Sequence, residues 1–324
     1  MAKPKLALVG AQTLMGREIR DQAKDFEVLA MDSTDAEGRT LVRDEDELAL
    51  LSPMDEAAIG SAAVVVLAGD LESTAKVRKI RAEGLIDVTG LLEIDPGARL
   101  RSPLSETAQR GTGRAPVEVI AHPGATMLAL FLATLEASAP YARAVAQVWL
   151  PGSEHGLEAL GELQQQTVAL LRFEKLKQGE FDTQAAFALL AETGEQSRHK
   201  VGKVAGRLRR NLAALLRGMA PMPSIQVGQA PVFHGLTVSV WVEFRQAPDL
   251  ERIAALLAKA GMDVRSGDME APNNVSVANQ DGVAVGGIEA DGANGQAAWF
   301  WVVADNHRLT GQNAMLVARE RIEA

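Results

Sequence analysis

The first 125 residues alternate between short apolar runs and longer segments whose apolar residues recur at helical spacing. Residues 5–9 form an apolar run that ends at Gly10, and the segment 14–23 has the period of an amphipathic helix. Alternating strands and helices of this kind build parallel sheets, because parallel neighbours need crossover connections. The pattern predicts a doubly wound parallel sheet. Its other predicted strands are residues 26–31, 63–68, 85–88 and 117–121.

The pattern changes after residue 144. A strand-like run at 145–150 precedes a long helical segment at 156–173, and a further helix is predicted at 249–260. Between these helices, residues 236–244 alternate so that every second side chain lies on one apolar face. Those side chains are Val238, Val240, Val242 and Phe244. This half of the chain therefore predicts an α+β domain with a mixed sheet, one face of which is covered by helices.

Composition excludes several classes of function. The 324 residues carry a formal net charge of −9, which disfavours binding to nucleic acid and to anionic membranes. A basic run at 198–210 is interpreted as a solvated helix face. No apolar stretch is long enough to span a bilayer and no leader is evident, so the cytoplasm is the expected compartment. The absence of cysteine excludes disulfides and thiolate catalysis, and no spacing of ligand residues predicts a metal site.

The segment between the first strand and the first helix has the form of a dinucleotide-binding turn. Gly10 and Gly16 bracket it, but Thr13 replaces the middle glycine. Asp32 ends the second strand, where a carboxylate accepts a ribose hydroxyl and favours NAD over NADP. Two interpretations stay open, a cofactor site and a structural remnant, since tight packing alone would require the glycines. The candidate cofactor residues are Gly10, Gln12, Thr13, Leu14, Met15, Gly16, Asp32 and Asn313.

Five short segments, read in chain order, carry a family resemblance. They are the opening turn at 10–16, Ile86-Asp87-Val88-Thr89-Gly90, Ala121-His122-Pro123-Gly124-Ala125-Thr126, residues 231–240, and Ala304-Asp305-Asn306-His307-Arg308 with Asn313-Ala314. Each segment is weakly specific alone, but five in the correct order are specific. The chain resembles the aspartate-semialdehyde dehydrogenases. The segments 153–156, 162–167 and 181–187 are similar in particular to a branch of bacterial relatives, some of which carry substituted catalytic residues.

The resemblance implies a domain organisation and an assembly. We expect a Rossmann-like dinucleotide-binding domain at residues 1–125, a semialdehyde-dehydrogenase-type dimerisation domain at 126–310, and a C-terminal helix at 311–324 that returns to the first domain. A homodimer is expected, with heteromeric pairing to an active relative as a second prediction. The bulky run 299–303 is expected to face the core or the partner subunit.

The resemblance also implies a reaction, the nicotinamide-dependent reductive dephosphorylation of an acyl phosphate through a thioester on cysteine. In this chain Ala125 matches the nucleophile, and it can form no covalent intermediate. Leu236 matches the general-base histidine and can move no proton. The family's substrate-orienting glutamine falls near Leu150, and its carboxylate-binding arginine matches Gln229.

Two further family arginines lack counterparts in this chain. The phosphate-binding arginine falls at or near Glu93, a reversal of charge, and the arginine that selects NADP falls near Asp35. Nucleophile, base and anion-binding groups are therefore absent together. The resemblance predicts the fold but not the activity, and binding of NAD or NADP is expected to be weak or lost.

Other polar residues offer alternative chemistry near the same position. His122 is three residues before Ala125, Glu154-His155 is a candidate carboxylate–imidazole pair, and Ser153 is a candidate hydroxyl. Thr126 is predicted as a helix N-cap.

The favoured interpretation is a catalytically inactive family member with a binding or regulatory role. The alternative is an oxidoreductase of the same fold with changed chemistry. A polar open cleft would favour the enzyme, whereas a site filled by Leu150, Leu236 and Met127 would favour the inactive protein.

Overall fold

The computed structural model describes residues 2–31, 40–44, 47–51, 54–106 and 114–323. The chain divides into two compact units. Unit 1 comprises Met1–Ala121 and Thr310–Ala324, and unit 2 comprises His122–Leu309. Asp32 and Asp35, which were predicted to govern nucleotide selectivity, lie outside the described residues.

Unit 1 contains a six-stranded parallel sheet in the order β2-β1-β5-β6-β8-β7 and a separate two-stranded antiparallel sheet, β3-β4. Its elements are β1 (Lys5–Val9), α1 (Leu14–Gln22), β2 (Glu27–Met31), β3 (Thr40–Asp44), β4 (Glu47–Leu51), α2 (Glu56–Ser61), β5 (Val64–Leu67), α3 (Leu71–Ile80), β6 (Leu85–Asp87), β7 (Ala98–Arg101), β8 (Val117–Ile120) and most of α8 (Asn306–Glu323). The predicted doubly wound parallel sheet is confirmed.

The strands of unit 1 are buried on both faces because successive side chains point to opposite sides of the sheet. Leu6 and Leu8 pack with apolar residues of α1 and α8 on one side. Ala7 and Val9 pack with Ile59 of α2 and with α3 on the other side. Because helices cover both faces of this sheet, continuous apolar strands are favoured. A sheet covered on one face only would alternate apolar and polar residues.

Unit 2 contains a six-stranded mixed sheet in the order β10-β9-β11-β14-β13-β12. Its elements are α4 (Pro123–Ser138), β9 (Tyr141–Leu150), a 3₁₀ turn (Gly152–His155), α5 (Leu157–Leu171), α6 (Val201–Leu216), β10 (Ser224–Gln229), β11 (Leu236–Phe244), α7 (Leu250–Lys259), β12 (Asp263–Val264), β13 (Ala284–Ala290) and β14 (Ala297–Ala304). The predicted mixed sheet is confirmed. The apolar face of β11 is buried as its alternation predicts.

The last helix begins five residues earlier than the predicted start at residue 311. Asp305 provides the reason, because its Oδ1 accepts the backbone N–H groups of His307 and Arg308, both at 3.1 Å. A carboxylate before the first turn satisfies amides that the helix leaves without partners. The helix therefore starts within the Ala304-Asp305-Asn306 segment.

The outer face of the second sheet carries all four tryptophans of the chain. Trp241 of β11 is paired with Val145 of β9 on one side and with Trp299 of β14 on the other. Trp299 is 42% exposed, whereas the neighbouring Phe300 is buried with its ring 5.1 Å from that of Phe131. The run 299–303 therefore contributes to both faces of the sheet. We call the outer surface the tryptophan face; its residues are Trp149, Trp241, Trp299 and Trp301.

Within the described part of the chain, no helix has the length and apolar character needed to cross a membrane.

Candidate functional site

The glycine turn after β1 is fixed by contacts within unit 1. Gly10 has a φ of +86°, and a Cβ there would lie 2.4 Å from the backbone nitrogen of Gly69. A Cβ at Gly16 would lie 2.1 Å from the carbonyl oxygen of Gly10. Both glycines are therefore required by the packing of the turn itself, independently of any ligand.

Thr13 occupies the place of the middle glycine and caps α1. Its Oγ1 accepts the Gly16 N–H at 2.9 Å and lies 2.9 and 3.0 Å from the carbonyl oxygens of Gly10 and Ala68. The hydroxyl proton can be donated to either carbonyl. The Thr13 side chain is thus directed at the protein backbone and stabilises the turn as an N-cap.

The predicted cofactor residues that follow Thr13 lie at the beginning of α1. Leu14 and Met15 belong to its first turn, where an α-helix leaves backbone amides without intrahelical acceptors. Amides in this position bind phosphate groups in dinucleotide folds. Gln12 is half-buried just before the cap. The turn can therefore still offer amides to a pyrophosphate, although its middle position is no longer glycine.

Two other residues singled out from the sequence, Asn313 and Glu93, belong to unit 1. Asn313 on α8 is buried, and its Oδ1 accepts the backbone N–H of Leu104 at 3.1 Å. Glu93 is half-buried in the connection between β6 and β7. A carboxylate at that point repels phosphate groups.

Ala125 lies in the first turn of α4 and is completely buried. Two leucines border the neighbouring Gly124, because a Cβ added there would lie 2.9 Å from Leu208 Cδ1 and 3.1 Å from Leu236 Cδ2, with His122 Nδ1 at 3.2 Å. The residue that matches the family's base therefore packs against the helix turn that carries Ala125. Leu150, Leu236 and Met127, whose presence in a filled site would favour an inactive protein, are each completely buried.

His122 is the N-cap of α4 and is completely buried. Its Nδ1 accepts the Gly124 N–H at 3.1 Å, and its Nε2 lies 3.0 Å from Glu154 Oε1. Because Nδ1 is an acceptor, the ring proton is on Nε2 and is donated to Glu154. The backbone N–H of His122 donates to Asn211 Oδ1 at 2.8 Å. Both ring nitrogens are therefore engaged in holding α4.

Glu154 is an ionised carboxylate among basic side chains. Burial by itself raises the pKa of this carboxyl, but the hydrogen bond from His122 Nε2 and the positive charge of neighbouring basic groups, including Arg207, outweigh burial and lower the pKa to about 2. The carboxylate is 13% exposed. It is therefore a fixed negative charge at neutral pH and cannot donate a proton to a substrate.

Gln229, which matches the family's substrate-binding arginine, is buried and fully bonded. Its Nε2 donates to the carbonyl oxygens of Leu150 and Ala230, at 2.9 and 3.0 Å. Its Oε1 therefore accepts, and His155 Nε2 lies 2.8 Å away as the donor. The amide holds the ends of β9 and β10 together and positions the His155 ring.

His155 packs in turn against two aromatic rings. The His199 ring centroid is 4.8 Å away and the Phe181 ring centroid 5.9 Å away. His199 Nε2 lies 3.0 Å from Glu180 Oε2. We call His122, Glu154, His155, Glu180 and His199 the imidazole cluster.

Burial lowers the pKa of His155 and also that of His307. For His307 the carboxylates of Glu154 and Asp305 oppose this effect, whereas His234 reinforces it. The two imidazoles are therefore held toward their neutral forms. A neutral imidazole that is hydrogen-bonded to Gln229, as in His155, and one that packs against the His234 ring, as in His307, are both consistent with structural roles.

The candidate hydroxyl groups are those of Ser153 and Thr126, and the structure shows the location of both. Ser153 is buried, and its Oγ lies 3.3 Å from Asn306 Oδ1, an acceptor, so its proton is not directed at an imidazole. Thr126 lies inside α4 and is not its N-cap, because His122 caps the helix and Pro123 begins it. Among the residues that the structure describes, no group of three His, Asp or Glu side chains could hold a metal ion.

Comparison with known proteins identifies the family of this chain. Residues 143–309 match the family model described as the semialdehyde dehydrogenase dimerisation domain. The USG-1 protein homolog of Pseudomonas aeruginosa is 32% identical over 257 residues, which cover 76% of this chain and 74% of that protein. The chain belongs to the aspartate-semialdehyde dehydrogenase family. The order of its five resembling segments predicted this membership, which is confirmed.

Solved structures of aspartate-semialdehyde dehydrogenases share the fold. A probable enzyme of Pseudomonas aeruginosa superposes with a TM-score of 0.85 at 24% identity, over 99% of both chains. Aspartate semialdehyde dehydrogenase II from Vibrio cholerae, in complex with ASA, superposes with a TM-score of 0.83 at 19% identity, over 100% of this chain and 99% of that one. At these identities the likeness supports the fold and carries no activity to this chain.

Two residues of the imidazole cluster were not predicted from the sequence. Glu180 and His199 are far from the family motifs, and His199 was read as part of a solvated helix face. The helix α6 begins only at Val201, so His199 precedes it and is largely buried. The signal that could have found this arrangement is Glu162, a glutamate at an apolar position of α5. Its buried carboxylate accepts three consecutive backbone amides, at residues 179–181, and so fixes Glu180.

Proposed function

We propose that this protein is a non-catalytic member of the aspartate-semialdehyde dehydrogenase family and acts by binding rather than by turnover. The observation that carries the proposal is Ala125, which matches the nucleophile, is completely buried and has Leu236 packed against the same helix turn. A methyl group cannot form a thioester, and a leucine cannot take up a proton.

The imidazole cluster supports the same conclusion, since both ring nitrogens of His122 and the Nε2 atoms of His155 and His199 bond to other residues of the protein. His122 can act as a base only if Nδ1 releases the Gly124 amide and α4 loses its cap. His155 donates to Gln229, whose amide orientation is fixed by two backbone carbonyls. Ser153 does not form a nucleophile paired with a base, because its hydroxyl is directed at Asn306 Oδ1.

Unit 1 is proposed to retain weak binding of NAD or NADP. The first-turn amides of Leu14 and Met15 would contact the pyrophosphate, and Gly10 and Gly16 maintain the turn. A bound nicotinamide would supply hydride-transfer chemistry. Thr13 reduces the approach of the phosphates because it places a side chain where the family pattern has glycine.

The tryptophan face is proposed as the surface of a homodimer. Aromatic side chains on a sheet face with one strongly exposed member, Trp299, are typical of protein interfaces. Pairing of the same face with an active relative, giving a heteromer, is the extension of this proposal. In that form the protein would modulate its relative without catalysing the reaction.

The central test is an assay for NAD(P)H formation from aspartate β-semialdehyde and phosphate. We expect no turnover by the wild-type protein or by the variant Ala125→Cys, because the base and the anion-binding groups are also missing. The triple variant A125C/Q229R/L236H tests how far the lost groups alone explain inactivity. Phosphate-dependent NAD(P)H formation by the wild-type protein would overturn the proposal, and activity of A125C alone would show that only the nucleophile has been lost.

Nucleotide binding is tested by calorimetric titration with NAD and NADP separately. The matched variant is Leu14→Asp, because a carboxylate at a helix N-terminus is compatible with the helix dipole but repels a pyrophosphate. We expect weak binding that this variant abolishes. Equal binding by wild type and variant would show that the first turn of α1 does not contact the nucleotide.

Dimerisation is tested by light scattering coupled to size-exclusion chromatography. Trp299→Glu is expected to convert a dimer into a monomer, since a charge would be buried in an apolar contact. Ile94→Glu is the control, because Ile94 is 92% exposed in unit 1. A Trp299→Glu protein that remains dimeric would exclude the tryptophan face.

A further inference from the structure

Unit 2 contains a half-open groove of about 360 Å³ at the C-terminal end of α4. It is lined by residues 138–140, by residues 244–249 after β11, and by the first two turns of α7. Ligand sites typically measure about 300–1,000 Å³, so the groove has the size of a small-molecule site. We call it the α4–α7 groove.

The groove is separate from the imidazole cluster. The helix α4 has 16 residues and rises about 1.5 Å per residue, so its two ends are about 24 Å apart. Ala125 and His122 lie at the N-terminal end of α4, and the groove lies at the other end. A ligand in the groove would therefore leave the position of the family's chemistry untouched.

The chemistry of the groove divides into an apolar floor and a basic rim. Phe244 and Ile253 are buried beneath it. Arg245 and Arg252 are exposed at its edge. The contacts of the Arg245 guanidinium are long, 3.9 Å to Glu136 Oε1 and 3.4 Å to the Tyr141 carbonyl oxygen.

The single carboxylate of the rim is already engaged. Asp249 caps α7 by accepting the Arg252 backbone N–H at 3.0 Å. The N-terminus of α7 adds a partial positive charge on this side of the groove, whereas the C-terminus of α4 adds a partial negative charge on the other. The α7 side of the groove therefore favours an anionic group. The α4 side favours the uncharged part of a ligand.

We infer that the α4–α7 groove binds a small amphipathic carboxylate, with its carboxylate between Arg245 and Arg252 and its apolar body on Phe244 and Ile253. Guanidinium groups hold carboxylates through paired hydrogen bonds, and the apolar floor excludes water from the body of the ligand. The inference does not depend on the absence of catalysis, because it concerns the opposite end of α4.

The test titrates the full-length protein with hexanoate and, as the uncharged isostere, hexanamide, followed by NMR and calorimetry. Hexanoate is expected to bind saturably and hexanamide at least about tenfold more weakly. Arg245→Gln and Arg252→Gln are each expected to weaken hexanoate binding by about tenfold. Both residues are exposed, so the variants should fold, which circular dichroism checks.

The control variant is Arg172→Gln, an equal loss of charge at an exposed residue that does not line the groove. It is expected to bind hexanoate as the wild type does. Three results would overturn the inference: no saturable binding up to about 10 mM, equal binding of hexanamide, or full hexanoate binding by both groove variants. The last result would place any carboxylate site elsewhere.

Discussion

The glycine turn of unit 1 and the start of α4 in unit 2 have both departed from the family pattern, but in different ways. In the turn, Gly10 and Gly16 remain because a Cβ would collide with backbone atoms at 2.4 and 2.1 Å. At α4, Ala125 and Leu236, which we predict to stand where the family has its nucleophile and base, are completely buried. The glycines that the fold requires are thus retained, whereas apolar side chains stand at the two positions predicted to match the nucleophile and the base.

The largest effect is expected for Gly10→Ala. The positive φ and the contact with Gly69 act together, so we expect about 3 kcal/mol or more of destabilisation, measured by urea unfolding. Gly60→Ala is the matched control, because Gly60 lies in helix α2 with open space around it and should be stabilised by up to about 1 kcal/mol. Similar changes in the free energy of unfolding for both variants would show that close packing is not the reason for glycine at position 10.

Leu236→His tests the second half of the comparison. The imidazole would replace a completely buried leucine beside Gly124, and we expect about 2–4 kcal/mol of destabilisation. Leu236→Met keeps the volume and apolar character and should cost less than about 1.5 kcal/mol. If the histidine variant is as stable as the methionine variant, the site has room for a base and is not committed to packing.

The pH dependence of stability distinguishes the imidazoles that the fold keeps neutral. Because burial lowers the pKa of His155 and His307 below the ordinary value of 6.5, the folded state binds fewer protons than the unfolded state. The contribution of these two imidazoles to the free energy of unfolding is complete above pH 6.5 and is lost as the pH falls below that value. The double variant H155Q/H307Q should flatten the loss of unfolding free energy with acidification, as measured by urea unfolding at a series of pH values. His234→Gln should flatten it only in part, because His234 contributes to the lowered pKa of His307.

A second acid transition is expected from Glu154, whose pKa is lowered to about 2. Its ionised form stabilises the folded state above the ordinary glutamate value of 4.5, and this stabilisation is lost as the pH falls toward 2. Glu154→Gln should remove this lower transition and keep the upper one. An unchanged acid profile would mean that Glu154 has no favourable interaction with its basic neighbours.

The smallest effect is expected for Thr13→Ala. Loss of the Oγ1 bond to Gly16 should cost about 1 kcal/mol in urea unfolding, the ordinary value of an N-cap. Thr13→Ser keeps the hydroxyl and should be nearly neutral. Destabilisation by both variants would indicate that the methyl group, rather than the cap, is important.

Much of the fold could be predicted, because periodicity reports burial directly. The alternating residues of β11 and the apolar run of β1 were placed correctly, since one or two buried faces leave a period in the sequence. The start of the last helix was misplaced by five residues, because the polar Asp305 and Asn306 resemble a loop. Their role as a cap depends on which amides they meet.

The candidate site was predictable only where a motif marked it. The absence of a cysteine nucleophile follows from the sequence alone, and the match of its position to Ala125 stays a prediction. The partners of His155 and His199 do not, because Gln229 and Glu180 reach them from distant segments. Pairing of side chains far apart in sequence has no local signal.

By itself, the sequence determined the order of strands and helices, the family, and the loss of any thiol chemistry, since residue types and their spacing decide these properties. Only the tertiary structure decided what the replaced positions do. Burial and hydrogen-bond direction show that Leu236 packs on the turn of Ala125, and that His122 caps α4. These properties depend on neighbours in space, and a chain acquires those neighbours only when it folds.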